Sequence, residues 1–250
     1  MAKNKLRKFA EMDSYPHVIQ ASFEEVFRND YKLKGKWSND FFNNDNPIVL
    51  ELGCGKGEYT VGLAQKYPNK NFIGMDIKGF RMHTGATESL NLGLKNVAFI
   101  RSQVEFIDSF FAKDEISEIW LTFPDPQMNR ARRRLSGTRH LNQYAEVLKK
   151  DGLIHLKTDS NFLYTYTREL ALHNELEIVS DFDDLYNSNF VDDILSIKTY
   201  YESRFLEHNI PIKYFSFYLN GRNDLTEPEV DIPLDEYRNT GMRVRFGNEE

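Results

Sequence analysis

The residues with the most chemistry in this chain lie between Leu121 and Arg134, in LTFPDPQMNRARRR. An apolar run leads straight into Asp125, which stands between Pro124 and Pro126. Arg130, Arg132, Arg133, Arg134 and Arg139 follow at once. A carboxylate at a strand end can hold a base by its hydrogen-bond donors, and guanidinium groups beside it can hold phosphates. Together they point to chemistry on a nucleotide inside a nucleic acid. The plain structural alternative for Asp125 is a turn acid that caps the next helix.

ELGCGKG, from Glu51 to Gly57, is a second constellation. It follows an apolar run and precedes an amphipathic stretch, which puts it at the C-terminal end of a strand, where open α/β sheets bind ligands. Gly53, Gly55 and Gly57 allow a tight turn and close backbone approach, although a turn that merely leads into a helix needs the same glycines. The spacing G-x-G-x-G is not the dinucleotide G-x-G-x-x-G. Lys56 is followed by Gly57 and not by the magnesium-binding hydroxyl of a phosphate loop. Asp76 ends the next apolar run, where an acid can accept both hydroxyls of a ribose. Glu51 sits inside an apolar strand, which is costly for a carboxylate without donors; it faces either a ligand or the loop amides.

The elements that must position these residues are legible as apolar, β-branched runs. Ile48–Gly53, Asn71–Asp76, Asn96–Ser102, Ile116–Phe123, Gly152–Asp159, Leu176–Asp181 and Ile212–Leu219 predict seven strands alternating with helical stretches. Such alternation implies βαβ units and a mostly parallel, doubly wound sheet. A further helix is expected near Ile19 to Phe27. Residues 1–45 form a basic lead, packed on the core or flexible beside it, and residues 46–221 form the main domain. Residues 222–250 form a polar, acidic extension that is either mobile or packed on the surface.

Composition bounds the function. A hydrophobic content of 40% over 250 residues supports a full core. No run approaches the roughly 20 apolar residues of a membrane span, and the basic N-terminus lacks the apolar stretch of a secretory signal. A cytoplasmic setting without a membrane partner is expected. The single cysteine, Cys54, excludes an internal disulfide and a cysteine-only metal site. Its place in the glycine loop suits packing better than nucleophilic attack. The six histidines, His140 and His155 among them, show no paired ligand spacing, so no metal is expected. The net charge of −6 speaks against nucleic acid only as a sum. Eight acids lie after Gly221, whereas Lys3, Lys5, Arg7 and Lys8 and the arginine cluster are local basic patches, and local patches govern phosphate binding.

The glycine loop with Asp76 resembles that of S-adenosylmethionine-dependent methyltransferases of the Rossmann-like class I type. That resemblance implies a seven-stranded, mostly parallel α/β sheet with helices on both faces and an antiparallel last strand. It also implies that Glu51, Gly53, Gly55, Gly57, Asp76, Ser102, Gln103 and Asp125 contact S-adenosylmethionine. With Asp125 added, the resemblance narrows to the bacterial tRNA (guanine-N7-)-methyltransferases and runs from about Lys34 to Leu219. The matching stretches are YKLKGKW (Tyr31–Trp37), ELGCGKG, FPDP (Phe123–Pro126), the arginine cluster, KTD (Lys157–Asp159), LYNSN (Leu185–Asn189) and TYYE (Thr199–Glu202). In that family the methyl group goes to N7 of a guanine in the variable loop of tRNA. The resemblance makes Asp125 the main active-site residue. It makes Asn129, Arg130, Asp159, Thr199 and Glu202 substrate contacts, the last two lining the pocket. Lys3, Lys5, Arg7, Lys8, Arg132, Arg133, Arg134 and Arg139 would hold the tRNA backbone. The partner is tRNA, and the enzyme a monomer or homodimer.

The implied chemistry suits these residues. N7 of guanine has an in-plane lone pair and no proton to lose, so methyl transfer from a sulfonium is an in-line displacement that needs no general base. Placement and electrostatics are what remain for the protein. The opposite edge of guanine carries the N1–H and N2–H donors, which one ionised carboxylate, Asp125 or Asp159, accepts together. A base without those donors would leave the carboxylate unpaired, at a cost on the order of 2–5 kcal/mol. Taken alone, Asp159 before Ser160 is also a good helix start, and Thr199 with Glu202 is an ordinary capping box. Gln127, Asn129 and Ser102 depart from the commonest family pattern of tryptophan, lysine and aspartate at those places, and the tail after Gly221 has no counterpart in it. The rivals are a catalytically silent tRNA-binding protein on the same fold and a methyltransferase of another substrate. A nicotinamide-dependent oxidoreductase is disfavoured by the loop spacing.

Overall fold

The computed structural model describes the backbone of residues 2–239 and the side chains of residues 6–237. The strands are β1 (Val18–Ile19), β2 (Ile48–Leu52), β3 (Asn71–Asp76), β4 (Val97–Arg101), β5 (Ile116–Thr122), β6 (Leu148–Thr158), β7 (Glu177–Phe182) and β8 (Lys213–Tyr218). The helices are α1 (Ala2–Asp13), α2 (Phe23–Val26), α3 (Glu58–Lys66), α4 (Gly79–Asn91), α5 (Ile107–Phe110), α6 (Thr138–Val147), α7 (Asn161–His173), α8 (Tyr200–Glu207) and α9 (Glu236–Asn239).

One sheet runs in the order β1-β4-β3-β2-β5-β6-β8-β7. The pairs from β1 to β6 are parallel, and β8 lies antiparallel between β6 and β7. The chain therefore winds outward from β2 to β4, returns, and winds the other way from β5. The reversal between β2 and β5 opens a crevice at their C-terminal ends, the place where such sheets take ligands.

The apolar runs are nearly unbroken because both faces of the sheet are covered. Leu50, Leu52, Ile73, Met75, Ala98, Ile100, Ile119 and Leu121 enter one core, while Val49, Phe72, Val97, Phe99 and Trp120 enter the other. Glu51 shares the face of Val49, next to Trp120 and Gly74 in register. Its carboxylate is thus delivered to the crevice by strand alternation alone.

Two sequence expectations are corrected. The sheet has eight strands among the described residues, not seven, because Val18 and Ile19 pair in parallel with Phe99 and Ile100 at the edge. The helix expected from Ile19 to Phe27 shrinks to α2. Ser22 and Glu25 form a capping box that starts it late, and β-branched Val18 and Ile19 gain more from the sheet edge. The N-terminal lead is packed: Met12 and Trp37 are fully buried, and the Trp37 indole donates to the Phe110 carbonyl at 2.9 Å. The described part of the extension after Gly221 is packed as well, with Leu225 buried in the core.

Candidate active site

Two adjoining hollows of about 380 and 490 Å³ occupy the crevice and share Gly53, Asp76, Asp125 and Leu135 in their walls. Gly53, Gly55 and Gly57 have φ of 76°, 56° and 74°, a region that glycine enters without penalty. At Gly57 a side chain would also strike Phe99, 2.7 Å away. The turn brings the Gly55 amide to the Asp76 carboxylate at 2.9 Å, and the Lys78 amide donates to the other oxygen at 2.6 Å. A carboxylate has about four acceptor directions, so two amides leave room for further hydroxyl donors. Ser102 and Gln103 line the second hollow beside Asp76.

Glu51 is buried at the back of the first hollow. Its donors are the Thr60 amide at 2.9 Å and the Thr60 and Thr122 hydroxyls, not the amides of the glycine loop. Burial pushes its pKa up to about 7 in spite of those bonds, and the neighbouring charge of Asp76 pushes in the same direction. A buried acid titrating near neutrality at the base of a cleft is prepared to meet a cation.

Asp125 is exposed at the mouth and lines both hollows. Its Oδ1 accepts the Gln127 amide at 3.0 Å, so the acid does organise a turn. The loop is bracketed by Phe123 and Gln127, non-glycine residues with φ of 49° and 47°. Left-handed backbone at such residues is unfavourable and persists where the surroundings impose it. Here the Phe123 amide is tied to the Lys157 carbonyl at 2.8 Å, and its ring stacks on Phe205. Asn129 and Arg130 are exposed farther along the same loop.

Asp159, at the end of β6, is buried and faces the first hollow, where Thr199 also lies. Ser160 serves as the helix cap, so the start of α7 does not draw on the Asp159 carboxylate. Thr199 and Glu202 form a reciprocal capping box at the start of α8. Glu202, expected to line the pocket, lies behind the walls of both hollows. It is fully buried and ion-paired to Lys157 at 2.7 Å, and it accepts the Tyr186 hydroxyl at 2.6 Å. Lys157 also donates to the Leu195 and Ile197 carbonyls at 2.8 and 3.1 Å. Burial draws its pKa down while Glu202 draws it up. Lys157 stands in the KTD stretch, yet nothing local in the sequence reveals that it gathers β6, the 183–199 segment and α8 around one charge. Arg81, Tyr201 and Phe205 are further pocket residues that sequence reasoning did not single out.

Arg130, Arg132, Arg133 and Arg139 are exposed, and Arg133 borders the second hollow. Arg134, expected from the resemblance at the tRNA backbone, faces inward instead of solvent. It is buried, donates to the Met128 carbonyl at 2.7 Å, and stacks over Phe162 and Tyr166 at 4.7 and 4.4 Å. Its planar cation suits that sandwich. Arg7 is exposed, with Glu11 at 3.7 Å, and Lys8 is half-buried. The side chains of Lys3 and Lys5 lie outside the described residues. No helix among the described residues is long and apolar enough to cross a membrane.

The sheet order and the crevice are those of class I methyltransferases. The 16S rRNA methyltransferase KamB superposes with a TM-score of 0.56 over 72% of this chain and 91% of its own, at 11% identity. A 30S ribosomal A1408 methyltransferase from an uncultured bacterium gives 0.53 over 72% and 91%, at 16% identity. These likenesses concern the fold. A family model described as "Putative methyltransferase" matches residues 45–214. The tRNA (guanine-N(7)-)-methyltransferase of Bacteroides fragilis is 55% identical over 99% of this chain and 98% of its own length. That of Porphyromonas gingivalis is 52% identical over 91% and 95%. The chain belongs to the tRNA (guanine-N7-)-methyltransferase family.

Two outcomes follow from the site's buried charges. Lys157→Met is expected to cost about 3–5 kcal/mol, because Glu202 is left buried without its counter-ion. Adding Glu202→Gln is expected to recover part of that loss, since glutamine keeps the capping box. A double-mutant cycle by urea unfolding measures the coupling, and simple additivity would refute it. Glu51 has a folded pKa raised from 4.5 to about 7. The stability it contributes is therefore complete below about pH 4.5 and is lost as pH rises through 7. Glu51→Gln should gain on the order of 3 kcal/mol relative to wild type between those limits. Parallel stability–pH curves for the two proteins would show that Glu51 is ionised throughout.

Proposed function

We infer that this chain transfers a methyl group from S-adenosylmethionine to N7 of a guanine in tRNA, with the variable-loop guanine as the target. The observation that carries the reading is convergence. The glycine loop, Asp76, Glu51, Asp125 and Asp159 come from four strand ends and meet in one crevice, with exposed arginines on the loop at its mouth.

The donor set fits the cofactor. Asp76 retains acceptor capacity for ribose hydroxyls, Ser102 and Gln103 stand where an adenine would lie, and Glu51 favours a cationic group nearby. The cofactor supplies an electrophilic methyl group on a sulfonium. The residues of the chain do the rest by placement. Asp125, on its constrained loop, and Asp159, on the rigid end of β6, bracket the hollow in which a flipped guanine would sit. A carboxylate accepting its N1–H and N2–H turns N7 to the opposite side without moving a proton. Thr199, Tyr201 and Phe205 shape the wall against which the base packs. Arg130, Arg132, Arg133 and Arg139 hold phosphates around the flipped nucleotide.

Methyl transfer from labelled cofactor to unmodified tRNA, followed by nucleoside analysis, tests this reading. Wild type is expected to yield 7-methylguanosine. Asp125→Ala should abolish it with thermal unfolding unchanged, and label in another nucleoside or no label would sink the assignment. Replacing Arg130, Arg132, Arg133 and Arg139 by alanine should weaken tRNA binding and flatten its salt dependence, by about 0.9 in slope for each phosphate no longer neutralised. Arg134→Ala should instead lower the melting temperature, because its role is internal. Unchanged affinity in the fourfold variant would overturn the phosphate assignment.

A further inference from the structure

The described part of the segment after Gly221 runs back along α6 and α7 and reaches the candidate active site. Asn223 donates to Glu146, and the Leu225 amide donates to Asn142, both on α6. The Thr226 amide donates to Asn174 at the C-terminal end of α7 at 2.9 Å. Glu227 accepts the hydroxyls of Thr138 and Tyr166 at 2.6 and 2.7 Å. The path closes at the other end of α7. There the buried carboxylate of Asp235 accepts the Ser160 hydroxyl at 2.5 Å and the Phe162 amide at 3.0 Å. The Asp235 amide lies on the Met128 sulfur, within the loop that follows Asp125. Two residues later the Tyr237 hydroxyl donates to Asp159 Oδ2 at 2.5 Å.

We propose that Tyr237 is a positioning residue for the guanine pocket, held by the C-terminal strap so that its phenol sets the orientation of the Asp159 carboxylate that meets the base. This rests on the reading of Asp159 as a substrate contact. An aspartate at a pocket wall can rotate about its last bond, and two N–H donors on a flat base are accepted well only when both oxygens lie near the base plane. A phenol donating to one oxygen fixes that rotation while occupying one of about four acceptor directions. Lys213 fixes the same residue from the backbone side, donating to the Asp159 carbonyl at 3.1 Å.

The anchoring explains why the phenol can be this specific although it comes from a chain extension. Asp235 binds Ser160 and Phe162, which follow Asp159 closely in the chain, so the strap is referenced to the strand end that carries the carboxylate. Placement of Tyr237 and placement of Asp159 are therefore one geometric problem. The strap also touches Met128, so the two carboxylate-bearing loops are spanned by one segment. The site is completed by a segment outside the sheet and the helices that cover it.

The test is a mutant cycle on steady-state methylation of an unmodified tRNA transcript, using the full chain. The variants are Tyr237→Phe, Asp159→Ala and the double variant, with cofactor affinity and melting temperature measured beside them. Tyr237→Phe removes one oxygen and keeps the ring. It is expected to lower kcat/KM for tRNA about tenfold, as a loss of about 1.4 kcal/mol in orienting a charged group would, while cofactor affinity stays at the wild-type value and the melting temperature falls by only a few degrees. In the Asp159→Ala background the same change is expected to have no further effect, since nothing is left to orient. Wild-type kcat/KM in Tyr237→Phe would overturn the proposal. So would an equal loss in both backgrounds, which would show that Tyr237 acts through packing. Full activity of Asp159→Ala would identify the failure as that of the Asp159 reading itself.

Discussion

An ammonium and a carboxylate meet at 2.7 Å between two fully buried side chains, Lys157 and Glu202, and the active-site wall is assembled around them. Lys157 projects from β6 two residues before Asp159. Its other donors reach carbonyls of the segment that leads into α8, and Glu202 fixes the first turn of α8 through the capping box with Thr199. Neither charge could be buried alone. The pair therefore obliges three pieces of chain, remote in sequence, to come together in one arrangement. Thr199, Tyr201 and Phe205 line the pocket because α8 is held there. Phe123 is held partly by its stacking on Phe205 and partly by the Lys157 carbonyl, so the loop of Asp125 depends on the same knot.

Three of the crevice's acids, Glu51, Asp125 and Asp159, differ by environment more than by chemistry. Glu51 is buried, and burial holds its pKa up to about 7 against the hydroxyls that bond it. Asp125 is exposed on a turn whose backbone is constrained at both ends, which would suit the proposed meeting with an incoming nucleotide. Asp159 is buried with a phenol on one oxygen, which suits close discrimination of a base already inside. On the proposed reading the same side-chain type would serve capture at the mouth and reading at depth, because desolvation raises the penalty for an unmatched donor.

Charge is likewise used locally. The chain is acidic overall, yet exposed guanidinium groups cluster on the loop after Asp125. Two of the six acids in the described part of the tail, Glu227 and Asp235, tie helices that flank the site. A net charge summed over such a chain misrepresents the field that a polyanion meets at the crevice.

The arrangement of strands 48–53, 71–76, 96–102 and 116–123 was open to reading because each strand buries both faces, and unbroken apolar, β-branched runs are a local signature of that burial. Gly53, Gly55, Gly57, Asp76 and Asp125 were legible for a related reason: turn geometry and strand ends constrain residue type within a few positions. The edge strand at Val18 was not legible, since two residues carry no periodicity. Arg134 could not be told from its neighbours in the run ARRR, because only the positions of Phe162 and Tyr166 take it out of solvent. Glu202 and Lys157 read as a cap and a strand lysine until the fold brings them into contact, and Tyr237 reads as one aromatic in a polar tail. By itself the sequence determined the class of fold, the place of the crevice and the residues whose types local backbone geometry demands. The tertiary structure alone decided which charges are buried together, which arginine faces inward, and which hydroxyl meets Asp159, because those outcomes depend on contacts between residues tens of positions apart and leave no local pattern.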